Sequence, residues 1–236
     1  VIAHRGASAD APENTIEAFE LAIEQGADMI ETDLHLLRDG AIALHHDEVV
    51  ARKRIGRLAL AELREIQPTI PTLEEALDAC GERIAFNLEI KRPRGGPYPG
   101  LEKRTLDELR RRGLLGRTLF SSFGDDVLAT LRSLEPSVRI GLLVSSRPGP
   151  GIVRRAECLG AEAIHLHVSI ATRRRIDSLH GAGYRVYVYT VDDPARQMEL
   201  MSLGVEGLFT NRPGELVAMR ARKERARDPG VPDRSQ

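Results

Sequence analysis

Short apolar runs alternate along this chain with longer stretches in which apolar residues recur every three to four positions. The short runs read as strands: VIAH (1–4), DMIETD (28–33), IAFNLEI (84–90), TLFSS (118–122), RIGLLV (139–144), AIHLH (163–167), RVYVYT (185–190) and GLFT (207–210). Eight strands separated by helices imply parallel pairing through right-handed crossovers, and eight is the number that closes a ring. The expected fold is therefore α/β, a (β/α)8 TIM-type barrel. An open doubly wound sheet is the competing architecture. It would ordinarily carry a glycine-rich phosphate loop after the first strand, and Gly6 alone is not one.

Helix boundaries are written in capping residues. Asn14 with Glu17 resembles a capping box, Ile16, Phe19 and Ile23 then recur near helical spacing, and Gly26 closes the element. Thr72 with Glu75 repeats that start ahead of Leu73, Leu77 and Cys80, with Gly81 behind them. Asp193–Pro194 supplies a cap and a first-turn proline, and Gly204 ends that helix. One stretch breaks the alternation. LHLLRDGAIALHH (34–46) places an Asp39–Gly40 turn between two apolar runs, which predicts a small β-hairpin extending strand two. Its return limb would bring His45, His46 and Asp47 to the barrel mouth. Residues 48–71 then form a modest connection with one short helix over 60–66. Residues 1–217 are expected to form a single catalytic barrel domain. Residues 218–236 would be the end of the last helix and a polar tail, with fraying expected from Arg220 onward.

Composition narrows the classes. At 236 residues, 42% hydrophobic and 29% charged, the chain can bury a large core and is not disordered. A net charge of −1 with interspersed signs argues against a nucleic-acid binder. No apolar run is long enough to span a bilayer, so stable membrane insertion is not expected. Cys80 and Cys158 fall in helical apolar patterns and read as small core residues rather than a disulfide framework. A cytoplasmic location is the default expectation, and a segment removed ahead of Val1 is left open.

Candidate chemistry gathers at strand ends. His4-Arg5-Gly6 closes the first strand with two groups suited to an anion, a weak signal by itself. Glu31 and Asp33 are stronger, because residues two apart on a strand share a face. Two carboxylates side by side inside a barrel repel and need a cation, a shared proton or solvent. Phe86, Leu88 and Ile90 are expected to face the helices, which turns Asn87, Glu89 and Lys91 inward. Glu89 and Lys91 alone would read as an ion pair. With Glu31 and Asp33, Glu89 completes an oxygen site of the kind Mg²⁺ or Ca²⁺ prefers, and zinc is disfavoured. His46 adds a second histidine, and a cation with two histidines, an arginine and a lysine suits phosphate-ester chemistry. His165 and His167 share a face that either lines the pocket or is core. Tyr187 and Tyr189 face the same choice, and His35 and His180 are expected to play no part.

These residues resemble the glycerophosphodiester phosphodiesterase family. HRG (4–6), PENT (12–15), ETD (31–33), HHD (45–47), LEIK (88–91), SSF (121–123), VYVYTVDDP (186–194) and GVEGLFTNRP (204–213) occur in its order and spacing. The resemblance implies His4 and His46 as acid/base histidines and Glu31, Asp33 and Glu89 as ligands of one divalent cation, magnesium or calcium, with manganese a third candidate. It implies Arg5 and Lys91 as phosphate holders, Glu13 as a polar organiser and Tyr189 as a substrate-wall residue. The implied reaction converts a small-molecule glycerophosphodiester to sn-glycerol 3-phosphate and an alcohol. Departures from the family pattern are Tyr189 where tryptophan is frequent, Asp192 where asparagine is common, and Asn211 where aspartate is frequent. The connection after His46 is also short. Two alternatives stand beside this reading: a phosphodiesterase acting on lysophospholipids, and a non-enzymatic glycerol-phosphate binding barrel.

Overall fold

The structure, a computed structural model, describes residues 1–227. The chain begins with β1 (Ile2–His4), α1 (Ile16–Glu24) and β2 (Met29–Leu36). It then reverses at Asp39–Gly40 into β3 (Ile42–Leu44), which pairs antiparallel with the upper end of β2 through Leu34–Leu44 and Leu36–Ile42. Gly40 adopts φ +91°, the left-handed turn geometry that glycine reaches without steric cost. A two-stranded ribbon of β4 (Val49–Val50) and β5 (Lys53–Arg54) follows, then α2 (Leu60–Ile66) and α3 (Leu73–Cys80). From there strands and helices alternate strictly: β6 (Ala85–Ile90), α4 (Leu101–Arg111), β7 (Thr118–Ser122), α5 (Asp125–Leu134), β8 (Arg139–Val144) and α6 (Ile152–Leu159). The chain ends with β9 (Ala163–His167), α7 (Arg173–Gly181), β10 (Arg185–Tyr189), α8 (Pro194–Ser202), β11 (Gly207–Thr210) and α9 (Pro213–Arg227).

The eight strands β1, β2, β6, β7, β8, β9, β10 and β11 pair in parallel in that order. Strand β1 pairs with both β2 and β11, so the sheet closes on itself and the open-sheet alternative is excluded. The hairpin strand β3 is a ninth member, outside the ring. Strand parity splits the core in two. Ile30, Leu34, Phe86, Leu88, Ile140, Leu142, Ile164 and Val186 point outward into the layer under the helices. Ile2, Leu119, Ala163, Tyr187 and Phe209 fill the lower barrel interior. A third, small cluster (Leu37, Ala43, Val50, Ile55, Leu58, Leu63, Ile70) fastens the hairpin to the connection behind it. That connection is therefore more than one helix, because the β4–β5 ribbon contributes Val50 to this packing.

Two local expectations need correction. Asn14 does not cap α1. The cap is Thr15, whose side chain accepts from the Ala18 N–H at 3.2 Å, while Asn14 is buried with φ +56°. Cys80 is buried, but Cys158 is exposed: α6 turns Ala156 and Leu159 to the core and leaves Cys158 toward solvent. The polar stretch from Arg220 is helical to Arg227, and Arg220 donates to Asp28 at 2.5 Å. The last helix thus ends within 218–236 as expected, and the remainder of the expected tail, residues 228–236, lies outside the described residues.

Candidate active site

Strands β2 and β6 lie side by side with Glu31 opposite Asn87 and Asp33 opposite Glu89. This register stacks three acids at the carboxyl end of the barrel, the end where such barrels hold their chemistry. One carboxylate oxygen from each of Glu31, Asp33 and Glu89 lies within 4.8 Å of the others, and all three residues are buried. Two cations face them. Lys91 donates from Nζ to Glu89 Oε1 at 2.7 Å and lies 2.6 Å from Asp33 Oδ1. Arg5 donates from its backbone N–H to Glu31 Oε2 at 3.0 Å and brings Nε within 3.3 Å of Asp33 Oδ2.

Three carboxylates against two cations leave the charge uneven. Burial pushes every acid upward. At Asp33 the Lys91 and Arg5 charges outweigh it and hold the carboxyl far below its usual range. At Glu31 burial is reinforced by Asp33 and Glu89, and its pKa lies well above the ordinary value. Glu89 is also raised, by burial first. The cluster thus favours one more positive charge, either a proton on Glu31 or a bound cation. Its all-oxygen donor set fits a hard divalent ion.

Both predicted histidines reach the same cavity, whose volume is about 280 Å³. His4 Nδ1 donates to Asn211 Oδ1 at 2.8 Å. The Asn211 carboxamide is itself oriented, because its Nδ2 donates to Asp192 Oδ2 at 2.6 Å and its backbone N–H to Asp192 Oδ1 at 2.8 Å. With Nδ1 protonated, neutral His4 presents a bare Nε2 on the side of Glu31, 4.0 Å away. Burial and the Arg5 charge lower its pKa. His46 stands on the stretch after β3 and bonds through Nδ1 to Asp47 at 2.7 Å. Behind it, His35 Nε2 approaches the His46 carbonyl at 3.4 Å, and His35 Nδ1 bonds to the Tyr98 hydroxyl at 2.7 Å. His35 therefore supports the His46 backbone, contrary to the expectation that it is uninvolved. His45 does not reach the cavity wall; its N–H donates to the Asp33 carbonyl.

The remaining candidates divide clearly. Glu13 accepts from Arg5 at 2.9 Å and is not on the cavity wall, so it steadies the arginine from outside. Tyr189 is on the wall, with its hydroxyl donating to the Val144 carbonyl at 2.9 Å and its ring edge-on to Phe123 and His167. His167 lines the cavity, whereas His165 lies beneath it, fully buried and stacked on Tyr187. His180 is away from the site, beside Glu206. Asn14 is the main omission: it donates to Asp33 Oδ2 at 2.8 Å and accepts from Thr32 at 2.7 Å. Asp192 and Asn211 stood out in the sequence only as departures, and nothing local links them to His4. A roomier groove of about 500 Å³ between the hairpin and α2–α4 contains none of these groups, so volume does not locate the chemistry.

A barrel of this topology with an acid triad, two histidines and two cations at one mouth is equipped for phosphate esters. The chain belongs to the glycerophosphoryl diester phosphodiesterase family, whose profile matches residues 4–215. A glycerophosphodiester phosphodiesterase of Caldanaerobacter subterraneus subsp. tengcongensis is 30% identical over 239 residues, covering 92% of this chain and 96% of that protein. Among solved structures, an Oleispira antarctica phosphodiesterase in complex with the product sn-glycerol 3-phosphate is 31% identical with a TM-score of 0.83, covering 93% of this chain and 96% of that one. The glycerophosphodiester phosphodiesterase of Thermotoga maritima is 27% identical with a TM-score of 0.80, covering 93% and 97%.

Proposed function

We propose that this protein hydrolyses glycerophosphodiesters to sn-glycerol 3-phosphate and an alcohol, with one divalent cation, magnesium or calcium, held by Glu31, Asp33 and Glu89. The observation that carries the reading is the convergence of three buried carboxylates on a cavity shared by both histidines, Arg5 and Lys91. A cation held there would supply positive charge to balance that on the phosphoryl group. Arg5 and Lys91 orient the phosphate and balance charge that grows on it in the transition state. His4 is assigned the base: its bare Nε2 takes the proton of the attacking oxygen, and Asp192 through Asn211 keeps the proton-bearing nitrogen turned away. His46, 40% exposed at its side chain, is assigned the acid that protonates the departing alkoxide where the alcohol leaves. A new phosphorus–oxygen bond forms, the bond to the alcohol breaks, and one proton moves at each histidine.

Residues 1–217 are assigned as the catalytic unit, and the cytoplasm as its compartment. Among the described residues no helix is long and apolar enough to cross a membrane. One feature favours the lysophospholipid alternative, the Phe123 ring, 46% exposed at the cavity rim. The non-enzymatic barrel has nothing in its favour, since no acid or histidine of the constellation is missing. The test is product release from glycerophosphocholine and from lysophosphatidylcholine at equal concentration. Faster release of glycerol 3-phosphate from the first supports the proposal; faster turnover of the second replaces it with the lipid reading.

A further inference from the structure

Asn87 is buried to 1% exposure, yet its Oδ1 has no hydrogen-bond partner among the described residues. Its Nδ2 donates to Ser121 Oγ at 2.9 Å, and both residues line the cavity. The register puts Asn87 beside Glu31 on β2 and Ser121 beside Glu89. The pair therefore forms a polar floor between the acid triad and the apolar wall of Leu143, Tyr189 and Phe209. A buried amide atom without a partner is costly and is seldom retained without a reason. If the carboxamide is turned over, Oδ1 accepts from Ser121 and Nδ2 becomes the free atom, so one polar atom is left over either way. A hydroxyl answers both orientations, since it can donate or accept.

We infer that Asn87 and Ser121 form a hydroxyl-binding subsite that selects phosphodiesters whose retained polyol half, the half that keeps the phosphate, carries a free hydroxyl close to the phosphorus. This rests on the reaction proposed above and goes further by naming the residues that read the polyol half of the substrate. The diester is held at its phosphate by Arg5 and Lys91 while one hydroxyl reaches down to the amide. A diester lacking that hydroxyl leaves the amide unpaired and is discriminated against.

The test separates this subsite from the reaction itself by measuring binding as well as turnover. Calorimetric titrations of sn-glycerol 3-phosphate and of inorganic phosphate into wild type, N87L and S121A compare a ligand that has the hydroxyl with one that lacks it. Turnover of glycerophosphocholine is compared with that of propylphosphocholine, which keeps the phosphodiester but not the hydroxyls. For N87L we expect about a tenfold weaker affinity for glycerol 3-phosphate, unchanged affinity for phosphate, and a comparable rise in KM for glycerophosphocholine alone. S121A should move in the same direction by a smaller factor, and it decides the matter if N87L does not fold. Equal losses for both ligands, or no loss for either, overturn the subsite. Absence of turnover with both diesters refutes the proposed reaction, and the subsite is then judged on the two binding titrations.

Discussion

His165 is the clearest place where burial should show in a measurement. The ring is fully buried, both nitrogens lack a partner among the described residues, and burial alone lowers its pKa from 6.5 to about 3. The space is reserved for it, because a Cβ on Gly141 would come within 2.2 Å of Nε2. The folded-state pKa lies below the unfolded one, so between the two the unfolded chain binds a proton that the native protein does not. Stability is therefore lost as pH falls through 6.5 toward 3, at about 1.4 kcal/mol per pH unit for this one group. Between pH 7.5 and 4.5 the loss is about 2–3 kcal/mol, or roughly 5–10 °C in Tm for a chain of this size. Other groups titrate in the same range, so the quantity to measure is the difference between wild type and H165L, which keeps an apolar filler and removes the titration. Thermal unfolding at pH 7.5, 6.5, 5.5 and 4.5 should give curves that diverge by that amount, with the wild type losing more. Parallel curves would refute the assignment of His165 as a neutral, buried ring.

H4A and H46A should each lower turnover by about 10²–10⁴-fold, read in an initial-rate assay, while calorimetry shows cation binding preserved. E31Q removes one of three buried carboxylates and should raise the Tm of metal-free protein by roughly 2–4 °C, about 1 kcal/mol. The same variant should lose the stabilisation that wild type gains from a cation, about 2.7 kcal/mol at one hundred times its Kd. Gly6 holds φ +84°, and an added Cβ would meet the Ala18 backbone at 2.7 Å. G6A should therefore cost roughly 2–3 kcal/mol, seen as a lower denaturation midpoint, and should weaken phosphate binding by displacing Arg5.

The barrel was legible because each of its strands is a short apolar run bounded by turn residues. Four of them, 118–122, 139–144, 163–167 and 207–210, begin and end where the pattern says. The acid triad was legible for a related reason: side chains alternate along a strand, so residues 31, 33 and 89 declare their side once their outward-facing neighbours are identified. What could not be read depends on ring closure and on loop conformation. The bond from His4 to Asn211 joins residues 207 positions apart, and it exists only because β1 and β11 are neighbours in the closed sheet. Asn14 has the sequence context of a helix cap, but its positive φ sends the side chain to Asp33, leaving Thr15 to cap. His35 has the right parity to face inward, yet only the returning hairpin reveals that it braces His46.

On the proposed function, the carboxylates of Glu31, Asp33 and Glu89 hold a divalent cation that diester cleavage requires. The most direct measurement is release of glycerol 3-phosphate from glycerophosphocholine by chelator-stripped protein, with Mg²⁺, Ca²⁺ or Mn²⁺ restored one at a time. The stripped protein should release none, at least one of these ions should restore release saturably, and E89Q should show no recovery. Full-rate release without any cation, or recovery in E89Q equal to that of wild type, would contradict the cation requirement.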